Sequence, residues 1–315
     1  MKIKIKKKLK IVFVGTTNFS KKYLEALIKS KYKITKVITK RKFFKKKYIS
    51  EVEKVAKKNF IKVISKINLE NSKIIKEIKK ENPDIMIIVA YGIKIPKNII
   101  KIFPLKAINI HPSILPKWKG PSPIQRAILN GDKKTGISII LINQKIDSGN
   151  ILYKKTCKIE KKDTFLSLSK KLCNIGIKCM FLTLKNIHKK KEHKQKNIKN
   201  NNLYAYKIKK LETKLIWSKS AKSLERSIRA FFPKPASYFI YKKKRIKVMK
   251  SKIFFSKKKY LCGKIINVLK NGIYIGTKKN CLIINKIQLE GKKIINSVDI
   301  YNGYKNFFKI GDIIK

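Results

Sequence analysis

The chain is 315 residues long and strongly basic, with 81 lysine and arginine residues against 17 aspartate and glutamate residues, a formal net charge of +64. The length allows one large domain or two ordinary ones. The charge points first to a polyanionic partner such as a nucleic acid, although much of it reflects a general excess of lysine, isoleucine and asparagine along the whole chain.

The cysteines and the N-terminus exclude several further classes of protein. There are five cysteines and no C-x-x-C pair, which argues against a disulfide framework and against a zinc site. The basic N-terminus is followed by only five apolar residues before a polar pair, too few for a signal peptide. No segment approaches the ~20 apolar residues of a membrane span. We therefore expect a soluble cytoplasmic protein with no metal and no membrane contact.

The first segment predicts the opening of a doubly wound, mostly parallel sheet. Residues 11–14 form an apolar strand, Gly15 follows directly, and residues 19–28 carry apolar side chains at helical spacing. Strand, glycine turn and helix in this order are typical of an α/β domain. A single glycine does not make the dinucleotide fingerprint, so no nicotinamide cofactor is predicted.

The second strand, residues 34–38, leads into a basic loop with interleaved aromatic residues at positions 39–50. Cationic side chains bind phosphate, and exposed aromatic rings can stack on unpaired bases, so the loop is a candidate RNA contact. The alternative is a plain connection whose aromatic side chains belong to the core. A helix at 51–59 and a strand at 61–64 are predicted to follow.

Residues 85–90, after a predicted helix at 69–82, form a continuous apolar run typical of a central parallel strand buried on both faces. Tyr91 and Gly92 end this strand. The glycine permits the backbone to approach a flat ligand closely, and Ile93 and Ile95 would supply apolar walls. The alternative is an ordinary strand-to-helix turn.

Asn109 and His111 are the strongest candidates for catalysis. They lie two residues apart in a predicted strand, so their side chains face the same side and can reach one reacting atom. Two prolines and a glycine then break regular structure, and open α/β sheets hold ligands in such loops after a strand. The alternative is that these side chains only cap turns.

Asp147 is the candidate carboxylate of the same site. It lies in a loop, residues 143–149, after a predicted strand at 137–142 that itself follows a helix at 124–129. If that strand is the neighbour of the one carrying His111, the carboxylate can contact and orient the imidazole. A long helix at 164–184 is predicted to close the first domain.

The composition divides the chain into a domain at 1–185, a basic linker at 186–202 and a second domain at 203–315. The linker contains His188 and His193 among lysines, without the cysteines or paired carboxylates that would complete a metal site. The second domain predicts a helix at 221–231 and then five short strands, which suits an OB-like barrel of the kind that binds oligonucleotides. The predicted strands are residues 237–241, 245–250, 263–268, 272–276 and 281–288.

Four segments together resemble the folate-dependent formyltransferase family over nearly the whole chain. The matching residues are Val12-Phe13-Val14-Gly15-Thr16, Ala90-Tyr91-Gly92-Ile93-Lys94-Ile95-Pro96, Asn109-x-His111-x-Ser113-Ile114-Leu115-Pro116 with Gly120 and Pro123-Ile124-Gln125, and Asp147-Ser148-Gly149. The chain departs from the family pattern in three places: Thr17-Asn18 replaces the usual Pro-Asp, Ile114 replaces leucine, and Ile216, just before Trp217, replaces an acidic residue.

The resemblance implies a Rossmann-like catalytic domain and a C-terminal OB-like domain. It also implies formyl transfer from 10-formyltetrahydrofolate to the amino group of initiator methionyl-tRNA by a monomer without metal, with Asn109, His111 and Asp147 as catalytic residues. The implied folate contacts are Tyr91, Gly92, Ile93, Ile95, Ser113, Ile114, Leu115 and Pro116. The implied tRNA contacts, in the basic loop, are Arg41, Lys42, Lys45, Lys46 and Lys47.

Two other functions stay open at this point. A formyltransferase of the glycinamide ribonucleotide type would need neither the basic loop nor the C-terminal barrel. A non-catalytic RNA-binding protein on the same scaffold would have no reason to keep Asn109, His111 and Asp147 together. The division of acid and base roles between His111 and Asp147 also stays open.

Overall fold

The structure, a computed structural model, describes residues 8–40, 49–65, 69, 71–188, 192–195 and 203–314. Most of the basic loop, including its five implied tRNA contacts, and most of the predicted linker lie outside the described residues. The chain forms two compact units that are interleaved in sequence. The first comprises Met1–Pro123, Lys134–Lys158 and Ser169–Tyr206, and the second Ile124–Lys133, Ile159–Leu168 and Lys207–Lys315.

The first unit is built on a seven-stranded sheet in the order β3-β2-β1-β4-β5-β6-β7. Strands β1 to β5 pair in parallel, whereas β6 is antiparallel to β5 and β7 is antiparallel to β6. The predicted doubly wound, mostly parallel sheet is therefore confirmed. Its strands are β1 (Lys10–Gly15), β2 (Lys33–Ile38), β3 (Val63–Ile64), β4 (Ile85–Val89), β5 (Ala107–His111), β6 (Lys134–Leu141) and β7 (Ile151–Lys158).

The helices before the C-terminal region are α1 (Asn18–Ile28), α2 (Glu51–Lys58), α3 (Ser72–Lys79), α4 (Lys97–Ile100), α5 (Pro123–Asn130) and α6 (Phe165–Lys185). At the start of α1, Thr17 and Ser20 form a capping box, so the departure from the family's Pro-Asp still gives a well-capped helix. Gly15 is needed here because a Cβ on it would lie 2.6 Å from the Cβ of Ser20.

The second unit contains an antiparallel sheet in the order β10-β11-β12-β9-β8, with β13 also paired to β12. The five predicted strands are confirmed, and the structure adds β13 and a C-terminal helix. Their core includes Trp217, Phe239 and Phe308. The elements are α7 (Ala221–Phe231), β8 (Ser237–Tyr241), β9 (Lys244–Phe254), β10 (Ile265–Leu269), β11 (Gly272–Gly276), β12 (Cys281–Gln288), β13 (Ile294–Asn296) and α8 (Ser297–Tyr304).

Polar contacts tie the early segments of the second unit to its C-terminal part. Arg126 of α5 donates two hydrogen bonds, of 2.6 and 3.1 Å, to the two carboxylate oxygens of Glu212. This bond to Arg126 lowers the pKa of Glu212. Arg229 of α7 donates to the carbonyl of Asp163 at 2.8 Å. The second unit therefore draws on residues from both halves of the chain.

Candidate active site

Strand β5 presents Asn109 and His111 on one face of the sheet, as their spacing predicts. The alternate residues Ile108 and Ile110 are fully buried on the other face. Asn109 is half-buried and His111 is only 4% exposed. The amide therefore keeps access to a ligand, whereas the imidazole is held inside the protein.

Asp147 joins these two side chains, so the structure brings the three predicted residues together. The amide Nδ2 of Asn109 donates to Oδ1 of Asp147 at 3.0 Å. Nδ1 of His111 lies 3.5 Å from Oδ2 of Asp147, and the backbone N–H of Gly120 donates to the same oxygen at 2.9 Å. One carboxylate thus contacts an amide, an imidazole and a backbone donor.

Asp147 does not reach the site directly from the end of a parallel strand. Because β6 is antiparallel to β5, its last residue, Leu141, pairs with Ile108 near the start of β5. The loop at 143–149 must therefore fold back towards His111. It does so with Asp147 in a left-handed conformation, φ +49°, and with Gly149 so close to Leu141 that a Cβ would meet the Leu141 carbonyl oxygen.

The ring of His111 is held at both nitrogens. Nε2 lies 2.8 Å from the backbone carbonyl of Trp118. A carbonyl oxygen can only accept, so Nε2 carries a proton and donates it there. Nδ1 is then the nitrogen that faces Asp147, and any proton exchanged with the carboxylate passes through it.

The loop after β5 is fixed by buried hydrogen bonds. Ser113 donates from Oγ to the carbonyl of Lys117 at 2.7 Å, and Ser138 of β6 donates to the Ser113 carbonyl at 2.8 Å. The backbone N–H of Leu115 donates to Ser138 Oγ at 3.0 Å. Ser113 and Leu115 are fully buried, so in this structure they shape the loop, while Ile114 and Pro116 reach the surface.

The loop after β4 shows the same division between buried and accessible residues. Tyr91 and Ile95 are buried, Ile93 is half-buried and Gly92 is exposed. Burial raises the pKa of Tyr91 to about 12, and its hydroxyl has no hydrogen-bond partner among the described residues. Gly92 has φ +72°, and the nearest atom to a Cβ built there is Nζ of Lys40 at 3.5 Å. An open glycine beside apolar side chains fits the flat ligand that the sequence predicts.

Sequence reasoning missed the groups that hold the three side chains in place. These are the carbonyl of Trp118, the N–H of Gly120 and the side chain of Gln195. Nε2 of Gln195 donates to the carbonyls of Asp147 at 2.9 Å and of Gly149 at 2.8 Å. Backbone groups carry no residue-specific signal, and Gln195 lies in a polar stretch that the composition marks as a linker.

The described residues form neither a metal-binding cluster nor a membrane-spanning helix. Within the described ranges, no three His, Cys, Asp or Glu side chains cluster as metal ligands would. Of the helices in the described ranges, none is long and apolar enough to cross a bilayer. In the predicted linker, the backbone of His193 pairs with Ile151, so this histidine belongs to the edge of the first sheet.

Comparison with known proteins matches both the N-terminal and the C-terminal region of the chain to formyl transferase models. Residues 8–184 match the formyl transferase family model, and residues 207–305 match the model of the formyl transferase C-terminal domain. The methionyl-tRNA formyltransferase of Buchnera aphidicola subsp. Acyrthosiphon pisum (strain Tuc7) is 42% identical over 313 residues, covering 98% of this chain and 100% of the relative. That of Buchnera aphidicola subsp. Schizaphis graminum (strain Sg) is 44% identical over 317 residues, with 98% and 100% covered.

A solved structure shares the fold at lower identity. The sugar 3N-formyl transferase WlaRD, solved in the presence of dTDP and 5-N-formyl-THF, superposes with a TM-score of 0.63 and 22% identity, covering 91% of this chain and 100% of that one. The two family models cover most of the chain, and both relatives match it over nearly its full length. This chain belongs to the formyl transferase family.

Proposed function

We propose that this protein transfers a formyl group from 10-formyltetrahydrofolate to the amino group of initiator methionyl-tRNA. The observation that carries the proposal is the contact of both Asn109 and His111 with the carboxylate of Asp147. The full-length relatives of this chain are named methionyl-tRNA formyltransferases. The reaction is acyl transfer between two nitrogens. It needs a donor for an oxyanion and a route for protons.

Asn109 supplies the oxyanion donor. Its amide nitrogen has two protons, and the structure uses one of them to bind Asp147. The second proton is available to the formyl oxygen as the attacking amine turns that oxygen into an oxyanion. Because Asp147 fixes the amide plane in advance, little reorganisation is needed at the moment of reaction.

Asp147 and His111 form the proton-carrying pair. When the amine nitrogen bonds to the formyl carbon it must lose a proton, and the folate nitrogen must gain one as its bond to that carbon breaks. The Asp147 carboxylate, with its side chain 11% exposed, is the member of the pair nearer to solvent, and His111 is the more buried one. We therefore propose that the Asp147 carboxylate exchanges protons with the substrate and that Nδ1 of His111 exchanges protons with the carboxylate.

The formyl donor fits beside the loops that follow β4 and β5. Gly92, Ile93, Ile114 and Pro116 offer open backbone and partly exposed apolar surface to a flat ring. Tyr91, Ile95, Ser113 and Leu115 are buried, and we propose that they shape this surface from behind. 10-Formyltetrahydrofolate would bring the transferable one-carbon group on a nitrogen, which is the chemistry that these residues cannot supply themselves.

The basic surface suits an RNA acceptor. The net charge of +64 attracts the phosphate backbone at long range. We propose that Arg41, Lys42, Lys45, Lys46 and Lys47 contact the acceptor end of the tRNA and that the C-terminal β domain binds it elsewhere. We also propose that the enzyme acts as a monomer in the cytoplasm.

A transfer assay with several acceptors tests the proposal. The full chain would be incubated with 10-formyltetrahydrofolate carrying a labelled formyl group and one acceptor: charged initiator tRNA, charged elongator tRNA, glycinamide ribonucleotide or a dTDP-linked amino sugar. We expect label on the initiator tRNA. Label on a small amine alone would overturn the proposal, and RNA binding without transfer to any acceptor would identify a non-catalytic protein.

A further inference from the structure

The active-site carboxylate depends on a loop with little support of its own. Residues 143–146, which lead into Asp147, are all exposed. The internal bonds of the loop are short-range, such as Ser148 N–H to the carbonyl of Lys145 at 3.3 Å. Since Asp147 also has φ +49°, its position requires partners from elsewhere in the chain.

Gln195 provides such a partner from 48 residues away along the sequence. Its side-chain nitrogen donates to the carbonyl of Asp147 and to that of Gly149, so it spans the residue that carries the carboxylate. Both acceptors are carbonyls, which settles the orientation of the amide. No other side-chain hydrogen bond to the Asp147 backbone is found in the described part of the molecule.

The segment that carries Gln195 is itself anchored to the first sheet. His193 and Ile151 exchange two backbone hydrogen bonds, of 2.8 and 3.0 Å. Glu192 accepts from Asn150 at 2.9 Å and from Lys106 at 3.0 Å. Residues 192–195 therefore lie along the edge of the sheet beside β7, and this pairing holds Gln195 against the loop at 143–149.

Residues 203–205 support the backbone groups of Trp118 and Gly120, which contact His111 and Asp147. Trp118 N–H donates to the carbonyl of Leu203 at 2.9 Å, and Ala205 pairs with Lys119 and Ser122. The ring of Tyr204 covers Gly120 so closely that a Cβ there would lie 2.8 Å from it. The carbonyl that holds His111 and the N–H that holds Asp147 both belong to this supported stretch.

We propose that residues 192–195 and 203–205, which we name the bracing segment, position the active site, and that Gln195 is the positioning residue for Asp147. The segment lies between the two regions matched by the family models, 8–184 and 207–305. The proposal rests on the proposed formyl transfer for its kinetic consequences only. The geometry of His111 gives an independent readout.

The kinetic test compares Gln195→Ala and Gln195→Glu in the full chain with Gln144→Ala, an exposed glutamine in the same loop. Glutamate keeps the size of glutamine but, when ionised, cannot donate. We expect both Gln195 variants to lower kcat about 10- to 100-fold, as a displacement of ~1 Å would, with KM for methionyl-tRNA unchanged. Gln144→Ala should behave as wild type. Wild-type kcat in Gln195→Glu would overturn the proposal.

A double-mutant cycle tests whether Gln195 acts through Asp147. In an Asp147→Asn background, Gln195→Ala should lower the residual rate by less than about twofold, because the group being positioned is already altered. An undiminished effect in that background would mean that Gln195 acts elsewhere, and would overturn the assignment.

Nuclear magnetic resonance separates failure of this inference from failure of the proposed function. The chain has only three histidines, so the imidazole signals of His111 can be identified by their loss in His111→Asn. We expect Gln195→Ala to shift these signals in the same direction as Asp147→Asn does, and Gln144→Ala to leave them in place. Unmoved signals in a folded Gln195→Ala protein would contradict the proposal, whether or not the wild type transfers formyl groups.

Discussion

The side-chain amide of Asn109 has two protons: one is donated to Asp147, and we propose that the other stabilises the oxyanion. Substituting Asn109 therefore tests its part in catalysis apart from substrate binding. Asn109→Ala removes the proposed oxyanion donor and one of the contacts of Asp147. We expect kcat to fall by roughly 10²-fold or more, with little change in KM. Steady-state kinetics of transfer to initiator methionyl-tRNA would measure this. The exposed Asn59→Ala is the control, and unchanged turnover in Asn109→Ala would remove this residue from the site.

Tyr91 couples its burial to a pH dependence of stability. Its pKa rises from 10.0 in the unfolded chain to about 12 in the folded one, because burial disfavours the phenolate. The unfolded state therefore loses its proton first, and the stability that wild type has below pH 10 is lost as the pH rises towards 12.

A phenylalanine at this position removes that dependence. We expect Tyr91→Phe to gain roughly 1–3 kcal/mol relative to wild type between about pH 9 and pH 12, since each pKa unit corresponds to ~1.4 kcal/mol. Urea unfolding of both proteins at several pH values would show it. A constant difference across this range would contradict the raised pKa.

At the scale of elements, helices α1 and α6 meet at a glycine. A Cβ on Gly176 of α6 would clash with the hydroxyl oxygen of Tyr23 in α1. That hydroxyl is buried and has no hydrogen-bond partner in the described ranges. We expect Gly176→Ala to cost about 1–3 kcal/mol through overpacking, and Tyr23→Phe to relieve part of this loss.

Thermal or urea unfolding of the two single variants and the double variant would measure the relief. Gly303→Ala in α8 is the control, because a Cβ there meets nothing within 4 Å. Alanine should be neutral or slightly favourable at that helical position. Equal losses for Gly176→Ala in the wild-type and Tyr23→Phe backgrounds would show that the hydroxyl is not the obstacle.

The sequence predicted most elements because their apolar patterns are local. The buried run of β4 and the helical spacing of α6 are examples, and both agree with the structure. Strand β7 was missed because it is lysine-rich with three consecutive exposed residues, and α4 because it has only four residues. The antiparallel direction of β6 was also missed, since strand direction depends on the connection and not on the strand's own residues.

Part of the candidate site could also be predicted from local sequence patterns. Asn109 and His111 share a strand, so alternation alone places them together. Asp147 reaches them by a folded-back loop that no pattern within residues 143–149 reveals. The anchors at Trp118 and Gly120 are backbone groups, and the importance of Gln195 follows from the path of the chain rather than from its neighbours in sequence.

At the scale of the whole molecule, cationic side chains far outnumber the acids that could pair with them. With 81 lysine and arginine residues and 17 acids, pairing leaves most of the charge to solvent and to ligands. We expect kcat/KM for methionyl-tRNA to fall by roughly 10²-fold or more between ~50 and ~200 mM salt, because bound counterions must be displaced from the RNA.

The value of kcat at saturating tRNA separates binding from chemistry in this experiment. Since salt screens the long-range attraction between protein and RNA far more than the short contacts of Asp147, kcat should change by less than about twofold over the same range. An equal fall in kcat and kcat/KM would show that salt disturbs the active site itself, contrary to this assignment of the charge.

The pairing of Leu203 and Ala205 with residues 118–122 has a practical consequence for protein engineering. A hybrid that takes its catalytic half from this chain and its C-terminal half from a relative should be spliced after Tyr206. A splice before Glu192 would replace the residues that lie against Asp147 and Gly120 with those of another protein, and the active site would lose the side chains and backbone groups that support it.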